Sequence, residues 1–208
     1  MKRHAMIWAT LLALIVMIGT AAVYAESTPA PVAAQSSGPG FTETPTFDKI
    51  PKGIIKGIAN GRPFEAKTVL FEPSLGKWCL VISDMALSDP LDLLTEGQSI
   101  NIDLPEPPAT GKKWSREMKY GDGYFQVQKT DKADDTTSWN ADNAYVLEIT
   151  RWDVKPYTED EGMFQVGGKA SGRVYIVYKG AFDMKDSWAA GIFTDVPVRY
   201  MGQPELKY

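Results

Sequence analysis

Histidine is almost absent. The chain has one, His4, among 208 residues, and it stands in a leader-like segment. From Glu26 onward the side chain that most often acts as general base near neutral pH, and as metal ligand, is missing. Ser-His-Asp triads, Cys-His pairs and His-ligated zinc or copper sites are therefore excluded by composition. Cysteine is equally scarce. The single Cys79 can close no internal disulfide, so an exported domain built from this chain must hold together by burial alone, for which about 150 residues suffice. Cys79 lies in Lys77-Trp78-Cys79-Leu80-Val81-Ile82-Ser83, apolar on both faces, and is expected to be a small buried hydrophobe rather than a reactive thiol.

Other absences narrow the function further. Neither Gly-x-x-x-x-Gly-Lys-[Ser/Thr] nor Gly-x-Gly-x-x-Gly occurs, so no nucleotide-phosphate loop is present. The formal charge is -4, and loss of Lys2 and Arg3 with a leader would make the rest more acidic still. With Lys and Arg scattered rather than striped, nucleic acid is not an expected partner. Helical periodicity is also rare. Only Asp84 to Glu96 could form a turn or two, with Pro90 in a first-turn position.

What the chain does have begins at its start. Met1-Lys2-Arg3-His4 is followed by an apolar run to Val23, then Val23-Tyr24-Ala25 before Glu26. Positive charge, an apolar stretch and small residues at -3 and -1 of a cleavage site are what signal peptidase reads. Residues 1-25 are expected to be a signal peptide, with cleavage after Ala25 and the protein periplasmic or extracellular. An uncleaved anchor is the competing reading, since the run approaches membrane-spanning length, but Thr10, Gly19 and Thr20 interrupt it. After cleavage no membrane span is expected. Residues 26-46, rich in Pro, Ala, Ser, Thr and Gly, read as a disordered linker. Residues 47-203 read as one domain and 204-208 as a C-terminal tail.

Within the domain the pattern is strand, turn, strand. Asn60-Gly61 joins Ile54-Ala59 to Arg62-Phe71 and accommodates the positive φ angles of a type I′ hairpin turn. Pro73 to Gly76 reverses the chain into the strand around Cys79. Ser99 to Leu104 alternates, with Ile100, Ile102 and Leu104 inward. Further strands are expected at Trp114-Met118, Tyr124-Lys129, Ala144-Asp153, Ser171-Lys179 and Trp188-Met201; the last carries Gly191 and Pro197, which predict a bulge or an edge exit. Eight or nine strands with at most one short helix predict an all-β antiparallel sandwich or barrel.

Ile58-Ala59-Asn60-Gly61-Arg62-Pro63-Phe64, Gly167-Gly168-Lys169-Ala170-Ser171-Gly172-Arg173-Val174 and Ala190-Gly191-Ile192-Phe193 resemble segments of uncharacterised secreted bacterial proteins. Those are β-sandwich, calycin-like domains that open on an Asn-Gly hairpin. The resemblance covers about a quarter of the chain and implies a fold; it brings no catalytic residue.

Two clusters offer chemistry. Asp131, Asp134, Asp135, Asp142 and Asn143 crowd one connection with Trp139 among them. Such oxygens suit calcium or sugar hydroxyls, and an exposed tryptophan suits a sugar ring. The order of an EF-hand loop is missing, so no metal is assigned. This connection is the expected contact site if Trp139 is exposed at a loop tip. Among the other tryptophans, Trp78 and Trp188 are expected in the core. Glu148 and Asp153 could serve a carboxylate-based glycoside hydrolase acting on cell-wall or environmental polysaccharide. Against that alternative, the expected function is a non-enzymatic exported domain, without cofactor or assigned catalytic residue, that binds a protein, glycan or other ligand at the surface of a bacterial cell.

Overall fold

The computed structural model describes residues 38-208 except 96, 120-122, 129-135, 140-142 and 181-183, with strands between 117 and 139 described by their backbone. Residues 1-25, read above as a signal peptide, residues 26-37 and the carboxylates Asp131, Asp134, Asp135 and Asp142 lie outside the described residues.

Alternation drives the local structure. Strands β1 (Lys56–Ala59) and β2 (Arg62–Glu65) pair across the Asn60-Gly61 turn, where φ is 47° at Asn60 and 76° at Gly61, both positive as a type I′ turn requires. A corner at Ala66 separates β2 from β3 (Thr68–Ser74), so the stretch read as one strand is two. Strand β4 (Lys77–Ser83) follows β3 through a second positive-φ pair, Leu75 at 49° and Gly76 at 85°. Strands β5 (Gly97–Asp103), β6 (Lys113–Lys119), β7 (Gly123–Gln128) and β8 (Thr136–Trp139) come next. The long β9 (Asn143–Val154), β10 (Phe164–Tyr178) and β11 (Ser187–Met201) complete the sheet.

The protein is all-β. Nine strands run in the order β6-β9-β10-β11-β3-β4-β5-β7-β8, and β1 attaches to β11 with β2 beside it. Every pairing is antiparallel except one parallel contact, Val198 with Phe71. This path curls back on itself. Tyr178 of β10 donates its hydroxyl to the Asn101 carbonyl of β5 at 3.3 Å, although β11, β3 and β4 lie between them in the sheet. Trp152 of β9 likewise meets Phe71 and Trp78 edge-to-face at 5.2 and 5.4 Å, spacings typical of favourable aromatic pairs. The enclosed core takes Leu80 and Ile82 from one wing and Tyr145, Leu147 and Ile149 from the other; full burial of each such aliphatic chain contributes roughly 1.5 to 3 kcal/mol. Trp78, Trp114 and Trp188 are buried, and so is Cys79.

Both outer faces are partly covered. Ala144, Val146, Tyr175, Val177 and Trp188 face away from the main core and are roofed by Phe41, Phe47 and Ile50. Gly38 lies so close to the Trp188 ring that a Cβ would overlap it, and the Tyr175 hydroxyl donates to the Gly40 carbonyl at 2.6 Å. Residues 38-46, read from composition as linker, therefore lie on the sheet, because a single Phe41 and the small residues around it suffice to follow an apolar surface closely. The C-terminal tail is docked too: the Trp78 N–H donates to the Tyr208 hydroxyl at 2.8 Å and the Lys207 N–H to the Gly76 carbonyl at 2.6 Å.

On the opposite wing Leu70, Cys79 and Val81 are covered by Leu87 and Leu94. The segment carrying those leucines is not the short helix expected at Asp84 to Glu96. Asp89 and Asp92 capture local backbone instead: the Leu91 N–H donates to Asp89 Oδ1 at 2.8 Å and the Asp89 N–H to Asp92 Oδ2 at 2.9 Å. Side-chain oxygens that offer the backbone these partners compete with a helix.

Candidate functional site

Strand β11 determines where a site can form. Its first third pairs with β1 as far as Ala190. Gly191 then lets another chain segment approach closely, since a Cβ there would stand 2.6 Å from Ile55 Cα, and the Ile192 N–H donates to the Gly53 carbonyl at 2.7 Å. The next pairing on the same edge is Val198 with Phe71 of β3. Between them, residues 193-197 have no ladder partner on that edge among the described residues.

A bulge explains why β11 leaves β3. On the β10 side Gly172 faces Phe193 and Ala170 faces Val196, so one residue, Ser171, opposes two, Thr194 and Asp195. Asp195 takes φ 51°, and its N–H donates to Ser171 Oγ at 2.9 Å. Arg151 braces the bulge from outside, reaching Asp195 and Asp153 at 2.9 Å each. Such a bulge bends and over-twists its strand, and Pro197 has no N–H to offer a neighbour.

The splay opens a groove of about 480 Å³, within the range of ligand sites. Val69 and Thr68 of β3 form one wall and Phe193, Val196 and Pro197 of β11 the other, while Leu87 and Pro90 reach over from the covering loop. At the mouth Ile54 and Ile192 are 55% and 39% exposed, large apolar residues left in water beside an apolar cleft. Lys67 also lines the groove, and it has no ion-pair partner among the described residues. The loop overhead is fixed by Arg199, itself buried, which donates to the Pro90 and Asp92 carbonyls at 2.8 and 2.6 Å and to Glu72 at 2.7 Å.

Of the residues singled out from sequence, Trp139 and Asn143 stand in other strands, while Asp131, Asp134, Asp135 and Asp142 lie outside the described residues. Trp139 closes strand β8 opposite Phe125. It is not at a loop tip as expected, because Thr136-Thr137-Ser138-Trp139 finds an edge partner in β7. Asn143 is 1% exposed and begins β9, with its Nδ2 lacking a hydrogen-bond partner; it is a strand residue rather than a surface ligand. Among the described residues no three His, Cys, Asp or Glu side chains converge as metal ligands, and no helix is long and apolar enough to cross a membrane.

Glu148 and Asp153 are both engaged by cations. Glu148 accepts from Arg173 Nε at 2.6 Å and Lys113 Nζ at 3.0 Å, and both cations lie over the Phe47 ring, 5.5 and 5.9 Å from its centroid. Burial by itself would raise this carboxyl, but the two hydrogen bonds and the charges behind them outweigh it and hold it below its ordinary 4.5. That is opposite to the raised value a glycosidase acid needs. A depressed folded pKa contributes stability above the unfolded value and loses it as pH falls through the folded one. Unfolding stability is thus expected to drop as pH falls below about 4.5, with a smaller acid loss in Glu148→Gln; denaturant titrations of both proteins between pH 6 and 3 check this. Cys79 is inert by placement: burial first, then the Asp103 and Glu72 charges, push its thiol well above 9.0.

Sequence reasoning missed Ile54, Lys67, Val69, Ile192 and Val196. The available signal was Gly191 and Pro197 inside one long strand. Comparison of the chain with models of known families, with curated proteins and with solved structures finds no match.

Proposed function

We propose that this is an exported, non-enzymatic binding domain, periplasmic or released outside a bacterial cell, and that it acts through the groove between β11 and β3. The observation that carries this reading is the groove's mouth: two isoleucines, Ile54 and Ile192, are left exposed beside an apolar cleft, whereas the apolar clusters around Tyr175 and around Leu70 are roofed by Phe41, Phe47 and Ile50 and by Leu87 and Leu94. Apolar side chains gathered at the rim of a cleft mark a place where a partner can bury them. Nothing at the groove resembles a catalytic constellation. Its only acid, Asp195, is paired with Arg151.

The test is a photocrosslinking residue placed at Ile192 or Ile54 in the exporting cell. A discrete adduct is expected at both positions and none at Lys179, the exposed first residue after β10. Mass spectrometry of the same fractions is expected to find Glu26 as the first residue. Adducts equal at all three positions, or an intact Met1 throughout, would overturn the corresponding half of the reading.

A further inference from the structure

We infer that the groove's occupant is an extended, apolar peptide segment carrying an acidic side chain, which enters as an added strand on the free edge of β11. This rests on the reading of the groove as a binding site and names what binds there. Three observations converge. First, residues 193-197 leave main-chain groups without a ladder partner on that edge among the described residues, and an unpaired strand edge is what an added strand recognises. Five residues at about 3.3 Å each give roughly 17 Å, enough for a strand of about five residues. Secondly, Val69 and Val196 line the groove and Ile54 and Ile192 its mouth, so the alternate side chains of such a strand would find apolar contacts. Thirdly, Lys67 is a cation at the wall without an ion-pair partner among the described residues, which complements an acid on the incoming strand. Asp195, the opposite charge at the site, is already paired with Arg151, which it shares with Asp153.

An added strand also accounts for the geometry of the slot. Gly53 closes one end through its bond from Ile192 and the Val198 contact with Phe71 closes the other, so a strand lying there is bounded in length. A glycan would be matched by hydroxyl partners, and here they are limited to Thr68 and Thr194, the first of which already accepts the Leu87 N–H.

The experiment uses isotope-labelled protein purified in the form the cell accumulates. The probe is an acetylated, amidated hexapeptide alternating valine with threonine and ending in glutamate. A second peptide ends in lysine, and dodecanoate serves as an apolar anion without a backbone. The glutamate peptide is expected to shift amides at residues 66-69 and 193-196, to add hydrogen-exchange protection at Thr194, whose N–H faces the open edge by alternation from Ile192, and to bind at least tenfold more tightly than the lysine peptide. In Lys67→Glu, an exposed substitution, that preference is expected to reverse. Dodecanoate perturbing these residues while both peptides leave them unchanged would overturn the peptide inference and keep the groove as a binding site. Silence from all three probes, together with absent crosslinks at Ile192 and Ile54, would overturn both.

Discussion

Arg199→Met is expected to lower stability by about 3 to 5 kcal/mol, the loss typical of removing one partner from a buried charge pair. Arg199 is 3% exposed and Glu72 only 23%, so the variant strands a carboxylate with little water to replace the guanidinium. Two backbone carbonyls, Pro90 and Asp92, lose their donor at the same time, and methionine refills the volume without supplying either. Chemical denaturation at neutral pH measures the loss. The double variant Arg199→Met with Glu72→Leu separates the charge from the clamp: if the stranded carboxylate dominates, the second substitution recovers more than half of the loss. A cost below about 1 kcal/mol for the single variant would show that the covering loop is held by Leu87 and Leu94 alone.

Gly191→Ala is expected to be nearly as damaging, at about 3 kcal/mol or more, for a backbone reason. The added Cβ would stand 2.6 Å from both Ile55 N and Cα and 2.7 Å from Ile54 C. These are main-chain atoms that cannot swing aside as a flexible side chain would. Overpacking of this kind typically costs about 1 to 3 kcal/mol, and φ at Gly191 is 157°, a value that adds strain of about 1 to 3 kcal/mol for a residue with a side chain. Thermal unfolding measures the loss, and amide shifts show its location: they should concentrate at residues 53-55 and 190-193. A stable Gly191→Ala protein with unchanged spectra would mean that the Ile54-Ile55 segment can back away freely, and the groove mouth with it.

The fold was legible wherever one residue's preference decided the outcome. Asn60-Gly61 announces its turn because both residues tolerate positive φ, and Ile100, Ile102 and Leu104 announce their face by alternation. Pro73 to Gly76 announces a reversal but not its type: Leu75-Gly76 makes the same positive-φ turn as Asn60-Gly61, since a leucine at φ 49° is held there against its own preference by the strands on either side. β8 was hidden for a related reason: Thr136-Thr137-Ser138-Trp139 has no apolar face to read, and only its pairing with β7 makes it a strand. The groove was the least legible feature. It arises where β11 fails to pair with β3, more than 120 residues away in sequence, and a missing contact leaves no periodicity. Composition pointed instead to the acidic connection around Trp139, because clustered oxygens are visible in one dimension and a splayed strand pair is not.

The place of β11 at the centre of the sheet has a consequence for the order in which the protein acquires its structure. β11 joins the β6-β9-β10 wing to the β3-β4-β5-β7-β8 wing and also receives β1, yet it is the most C-terminal of the described strands. Until Ser187 to Met201 have emerged, the N-terminal hairpin of β1 and β2 has nothing to dock on and the two wings have no seam. Contacts at such separation close late and slowly. A chain arranged in this way can close its sheet only once its C-terminal strand is free to pair with both wings.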